Sequence, residues 1–76
     1  MDNGAYKKFR ELLVEARKAA DLTQAELSGR LKRPQSFVSK YERGERRLDV
    51  VEFGEVARAL NSDPVKLFAK IYREME

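Results

Sequence analysis

Gln35, Ser36, Ser39, Lys40 and Arg43 are spaced by one, three, one and three residues. On a helical wheel at ~100° per residue, with Gln35 at zero, all five fall between ~0° and ~140°. Val38 and Tyr41 fall near ~300° and ~240°, on the opposite side, which makes Tyr41 a core residue with its hydroxyl reaching the surface. One face therefore offers an amide, two hydroxyls and two cations, and no carboxylate. A merely solvated helix usually mixes charge signs. These side chains are the ones that match guanine O6/N7, adenine N6/N7 and phosphate oxygens. Phe37, near ~200°, lies between the two faces; it packs half-buried against the preceding helix or touches a thymine methyl or a sugar.

Charge supports the same chemistry. From Arg30 to Arg47 there are seven basic residues (Arg30, Lys32, Arg33, Lys40, Arg43, Arg46 and Arg47) against Glu42 and Glu45, a net +5. The rest of the chain carries nine basic and eleven acidic residues, a net −2. A basic centre in a mildly acidic remainder is the footprint of a polyanion-binding face, although solvated arginines alone would give the same tally.

What the sequence lacks is as informative. It has no cysteine and no histidine, which removes thiol nucleophiles, Cys/His zinc sites and imidazole bases together. No cofactor is expected and no metal site is indicated. The acidic residues sit at helix starts as caps, and no loop is long enough to form a substrate pocket, so no enzyme is expected. No apolar run approaches bilayer length and no leader pattern opens the chain, so no membrane association and a cytoplasmic location are expected.

The elements that position this face follow from periodicity. The 76 residues allow one core, burying roughly 60% of the unfolded surface. Residues 1–5 read as a flexible arm and 6–76 as a single domain. Tyr6, Phe9, Leu13, Ala16 and Ala20 step by three and four and predict a first helix to about Ala20. Thr23 with Glu26 forms a capping box for a short second helix with Leu27 and Leu31 on its buried side. Pro34 starts a third, which runs to about Arg43 with Gly44 as its C′ residue. Asp49 with Glu52 caps a fourth, with the stripe Phe53, Val56, Ala57 and Leu60. Asp63-Pro64 starts a fifth, with the stripe Leu67, Phe68, Ile71, Tyr72 and Met75. No segment alternates as a strand does. The fold class is all-α, a compact five-helix domain with a helix-turn-helix over about 23–43.

Residues 22–60 resemble the phage-repressor and Cro-like (Xre-like) helix-turn-helix family. The resemblance is carried by Thr23-Gln24 opening the second helix, Glu26-Leu27, Ser36-x-Val38-Ser39 in the third, and Glu42-x-Gly44 closing it. It implies a lambda-repressor-like domain that binds double-stranded DNA. By position, it implies that Gln35, Ser36, Ser39 and Lys40 face base edges or nearby phosphates, and that Gln24 contacts the DNA backbone. It further implies that Arg43, Arg46 and Arg47 approach phosphates, and that Arg17 and Glu42 form an ion pair tying the first helix to the third. Arg33 joins the backbone-contact group as part of the basic cluster. Two positions depart from the family pattern. Lys32 stands where glycine is frequent; either it adopts positive φ, at a cost on the order of 1 kcal/mol, or the turn differs. Ser28 stands where alanine is favoured, and it can bond back to its own helix at little cost.

The reading is a sequence-specific regulator of transcription that binds a pseudo-palindromic operator as a homodimer, with Ile71, Tyr72 and Met75 packing against the second copy. The alternative is an antitoxin or adaptor whose working surface is the C-terminal stripe and whose DNA binding is secondary.

Overall fold

Apolar residues three and four apart give five helices in the computed structural model, which describes residues 4–74. They are α1 (Gly4–Ala19), α2 (Gln24–Arg30), α3 (Ser36–Glu42), α4 (Val50–Ala59) and α5 (Pro64–Glu74). No strand occurs among the described residues. Helices α2 to α5, of 7, 7, 10 and 11 residues, are too short to persist alone, so their stability comes from the apolar faces they bury. Leu13 of α1, Leu27 of α2, Val38 and Tyr41 of α3, Val56, Ala57 and Leu60 from α4 and its cap, and Leu67 of α5 meet in one core. Phe9, Leu22, Leu31, Leu48 and Phe53 close its edges.

The starts of α2 and α4 are fixed by the expected capping boxes. The Thr23 hydroxyl accepts from the Glu26 amide at 3.0 Å, and the Glu26 carboxylate accepts from the Thr23 amide at 2.8 Å. Asp49 and Glu52 repeat this reciprocal pair at 2.7 and 3.0 Å. At α5, Asp63 accepts from the Val65 amide at 2.9 Å, across the proline at the first helical position.

Helices α1 to α4 share one kind of ending. Asp21, Lys32, Gly44 and Asn61 have φ of 59°, 56°, 82° and 57°. In each case the next amide bonds five residues back, and the left-handed residue itself bonds three back, as in Leu22 to Arg17 and Asp21 to Lys18. This Schellman ending reverses the chain within two or three residues, which lets short helices stack closely. Lys32 therefore does adopt the glycine-like conformation.

Two boundaries and one stripe differ from expectation. Helix α1 (Gly4–Ala19) already includes Gly4 and Ala5 of the expected arm, and Ala5 lines a groove with Phe53 and Phe68; residues 1–3 of that arm lie outside the described residues. Helix α3 starts at Ser36, because Pro34 and Gln35 form a tight turn closed by the Phe37 amide on the Pro34 carbonyl at 2.9 Å. On α5 only Leu67 and Ile71 are buried, whereas Phe68 and Tyr72 are 52% and 57% exposed. Leu67 and Ile71 lie one turn apart on a single line, and their neighbours are rotated ~100° away from it, past the edge of the small core.

Candidate nucleic-acid interface

The helix-turn-helix is α2, the turn 31–35 and α3. The polar side chains of α3 share one surface, as the wheel predicts. Gln35, Ser36 and Ser39 line one shallow surface cleft with Thr23, Gln24 and Ala25 at the start of α2. Gln35 and Ser36 are exposed, and Ser39 is half-buried. Lys40 is exposed beside them and has no ion-pair partner among the described residues. Val38 and Tyr41 point into the core, fully and almost fully buried.

Glu42, the one carboxylate on α3, turns inward. Arg17 donates to both its oxygens, at 2.8 and 3.1 Å, and also to the Leu22 carbonyl at 2.9 Å. Only 11% and 5% of the two side chains are exposed. The hydrogen bond to Glu42 raises the Arg17 pKa further, against desolvation. The Gln24 amide nitrogen donates to Glu42 at 2.8 Å. That leaves Gln24 one N–H and its oxygen. The pair thus ties α1 to α3 and orients Gln24 as well. Arg10 reaches the Glu42 carbonyl at 3.4 Å and lies against Gly44, where a Cβ would stand 2.8 Å from its Nη1.

The basic residues divide into two groups. Arg47 is exposed and stacks over the Tyr6 ring at 4.2 Å. Arg43 is exposed and pairs with Glu45 at 3.0 Å, a surface pair of small energetic weight. By contrast, Arg33 and Arg46 lie over the Phe37 ring, at 4.7 and 4.9 Å from its centre. Both reach Oε2 of Glu52, at 3.4 and 2.6 Å. Arg30 donates to the Ala59 carbonyl at 3.1 Å and ties α2 to the end of α4. Phe37 is buried to 6% exposure, beneath these guanidinium groups and edge-on to Tyr41 at 5.6 Å. It belongs to the core rather than to the polar face of α3.

Sequence reasoning missed two residues here. Glu52 reads as a cap, and its second role depends on a loop that returns Arg46 to it. Ser28 reads as an alanine substitute bonding its own helix. In the structure it is fully buried and faces α3 instead: its hydroxyl donates to the Gln35 carbonyl at 3.2 Å and accepts from the Val38 amide at 3.3 Å. Two further expectations are corrected. The Tyr41 hydroxyl stays buried, with no hydrogen-bond partner among the described residues, instead of reaching the surface, and burial raises its pKa. Ile71, expected on a surface between copies, is 5% exposed and packed within the monomer. Tyr72 is exposed, and Met75 lies outside the described residues. Exposed apolar area is found instead at Val50, Val51, Val65 and Phe68, of which Val50 and Phe68 line the groove beside Tyr6, Phe9 and Phe53.

Residues 13–67 match the family model for helix-turn-helix proteins. The solved structure of an XRE-family like protein from Pseudomonas syringae pv. tomato str. DC3000 is 50% identical, with a TM-score of 0.91 over 97% of this chain and 90% of that one. A mutant of the restriction-modification controller protein C.Esp1396I is 21% identical, with a TM-score of 0.86 over 99% of this chain and 95% of that one, a likeness of fold. No curated protein matches the sequence. The family match across most of the chain and the half-identical relative agree with the five-helix fold and its helix-turn-helix: the protein belongs to the phage-repressor and Cro-like (Xre-like) helix-turn-helix family of DNA-binding transcription regulators.

Proposed function

We propose that the protein binds specific double-stranded DNA sites as a homodimer and regulates transcription by occupying a pseudo-palindromic operator. One observation carries this reading: Gln35, Ser36 and Ser39 share an open cleft with Gln24, while the only acid of α3 is turned inward onto Arg17.

An α-helix fits the major groove, with the preceding helix crossing the backbone. In this pose the Gln35 amide pairs with adenine N6/N7, Lys40 reaches guanine O6/N7, and Ser36 and Ser39 bond bases or adjacent phosphates. Gln24, Arg43 and Arg47 bind phosphates and set the register. Arg33 and Arg46 add positive charge and spare guanidinium donors, since each keeps N–H groups beyond those given to Glu52. Exposed Phe68 and Tyr72, with the groove at Val50, supply the apolar area for self-association. A two-fold dimer sets its two reader helices about 34 Å apart, one turn of DNA. Operator occupancy then blocks or recruits polymerase, without any covalent step.

Selection from random duplexes tests the reading. The expected result is a consensus of two inverted half-sites one helical turn apart. Binding without sequence preference would sink base reading, and a single asymmetric half-site would sink the dimer.

A further inference from the structure

We infer that Ser28 is a positioning residue for base recognition: from α2 it supplies the N-terminal cap that α3 lacks, and so sets how α3 presents Gln35 and Ser36. The inference rests on the proposed DNA-reading role of α3.

The three interior helix starts differ. Helices α2 and α4 are capped by their own Thr23 and Asp49. At α3 the N-cap residue, Gln35, already has helical backbone angles (φ −55°, ψ −31°) and makes no side-chain cap bond. Its side chain is left free on the reader face. The cap comes from another helix. The Ser28 hydroxyl accepts from the Val38 amide and donates to the Gln35 carbonyl. Within a helix, a serine hydroxyl commonly bonds the carbonyl one turn back; here it crosses to the next helix. The backbone of the same residue anchors the other side of the turn, where the Ser28 carbonyl accepts from the Arg33 amide at 3.0 Å. One fully buried residue thus holds both the end of α2 and the start of α3.

Alanine fills nearly the same volume but offers nothing to the Val38 amide. A buried, unpaired amide is costly, so the first turn of α3 must shift to find another acceptor or water. A side chain that reads a base edge through two hydrogen bonds is sensitive to such a shift, because bond strength falls quickly with misalignment. Phosphate contacts made by the long, exposed side chains of Arg43 and Arg47, at the far end of α3 and in its loop, are less so.

The experiment compares binding-site selection profiles of the full-length wild type, Ser28→Ala and the core truncation Val56→Ala, with thermal stability measured for each. For Ser28→Ala, preference at the base pairs read by Gln35 is expected to fall by about 3- to 10-fold, part of what a complete base contact discriminates, with preference at other positions kept. Val56→Ala, which lowers stability away from the turn, is expected to keep the wild-type profile. An unchanged Ser28→Ala profile, or affinity lost by one factor on every sequence, overturns the inference. Where Ser28→Ala does not fold, Ser28→Cys, similar in size and a poor hydrogen bonder, takes its place with the same two readings. A wild type that selects no sequence would instead refute the DNA-reading role itself.

Discussion

Arg46 and Glu52 form a two-pronged ion pair, with Nη1 on Oε1 at 2.9 Å and Nη2 on Oε2 at 2.6 Å. Oε1 also accepts from the Asp49 amide at 3.0 Å, so one carboxylate closes the cap of α4 and fastens the loop that leaves α3. Arg33 joins at Oε2, and both guanidinium groups cover Phe37. This places a buried acid behind the basic cluster. It holds two of the arginines against the protein while Arg43 and Arg47 remain on the surface.

Removing the carboxylate should therefore loosen both the cap and the loop. Glu52→Ala is expected to cost about 2 kcal/mol, ~1 from the cap and ~1 from a partly exposed ion pair. Glu52→Gln keeps the cap acceptor and should cost about half as much. Urea denaturation midpoints of the two variants give the comparison.

The same carboxylate predicts an acid limb in stability. The Arg46 hydrogen bonds, then the Asp49 amide, hold the Glu52 pKa down at about 2. The unfolded chain titrates near ~4.3, so between these values it binds more protons than the folded protein, and stability rises with pH. The contribution is complete above ~4.3 and is lost as pH falls toward 2. Melting temperature followed from pH 6 to pH 2 should drop less steeply below pH 4.5 in Glu52→Gln than in the wild type.

Arg17 and Glu42 should matter more for folding than any surface charge. Arg17→Ala leaves a nearly buried carboxylate with Gln24 as its one side-chain partner among the described residues, and a cost of about 3 kcal/mol is expected. For a domain this small that lowers Tm by more than roughly 10 °C, readable by circular dichroism.

The Schellman endings predict opposite effects at two turns. Lys32→Gly relieves a left-handed conformation at a non-glycine residue and should raise stability by up to about 1 kcal/mol, less the entropy glycine adds to the unfolded chain. Gly44→Ala imposes that conformation on a Cβ and pushes it against Arg10, and should lower stability by about 1–2 kcal/mol. Calorimetry of the pair checks both signs.

On DNA, the two groups of basic residues should separate. Gln35→Ala and Lys40→Ala are expected to relax preference at one or two base pairs by ~1–3 kcal/mol. Arg47→Ala should weaken all sequences alike and reduce the salt slope by ~1, with stability nearly kept. Arg46→Ala should lower stability as well, because it removes the partner of Glu52. Affinity titrations at several salt concentrations, beside melting curves, distinguish the three classes.

The sequence alone determined the five helices, the capping boxes of α2 and α4 and the polar face of α3. Those features are local: steps of three and four residues, T-x-x-E and D-x-x-E boxes, and a wheel on which Gln35, Ser36, Ser39, Lys40 and Arg43 share a side while Val38 and Tyr41 oppose them. The Arg17–Glu42 pair was legible only through the family resemblance, since 25 residues separate its members. Tertiary structure decided what depends on neighbours distant in the chain. It turned the Ser28 hydroxyl to α3 rather than to its own helix, fastened Arg33 and Arg46 to Glu52, and buried Ile71 while leaving Phe68 and Tyr72 outside. Periodicity states which residues share a face of a helix. How wide a face is covered, and which partner a polar group meets, is set by where the other helices pack.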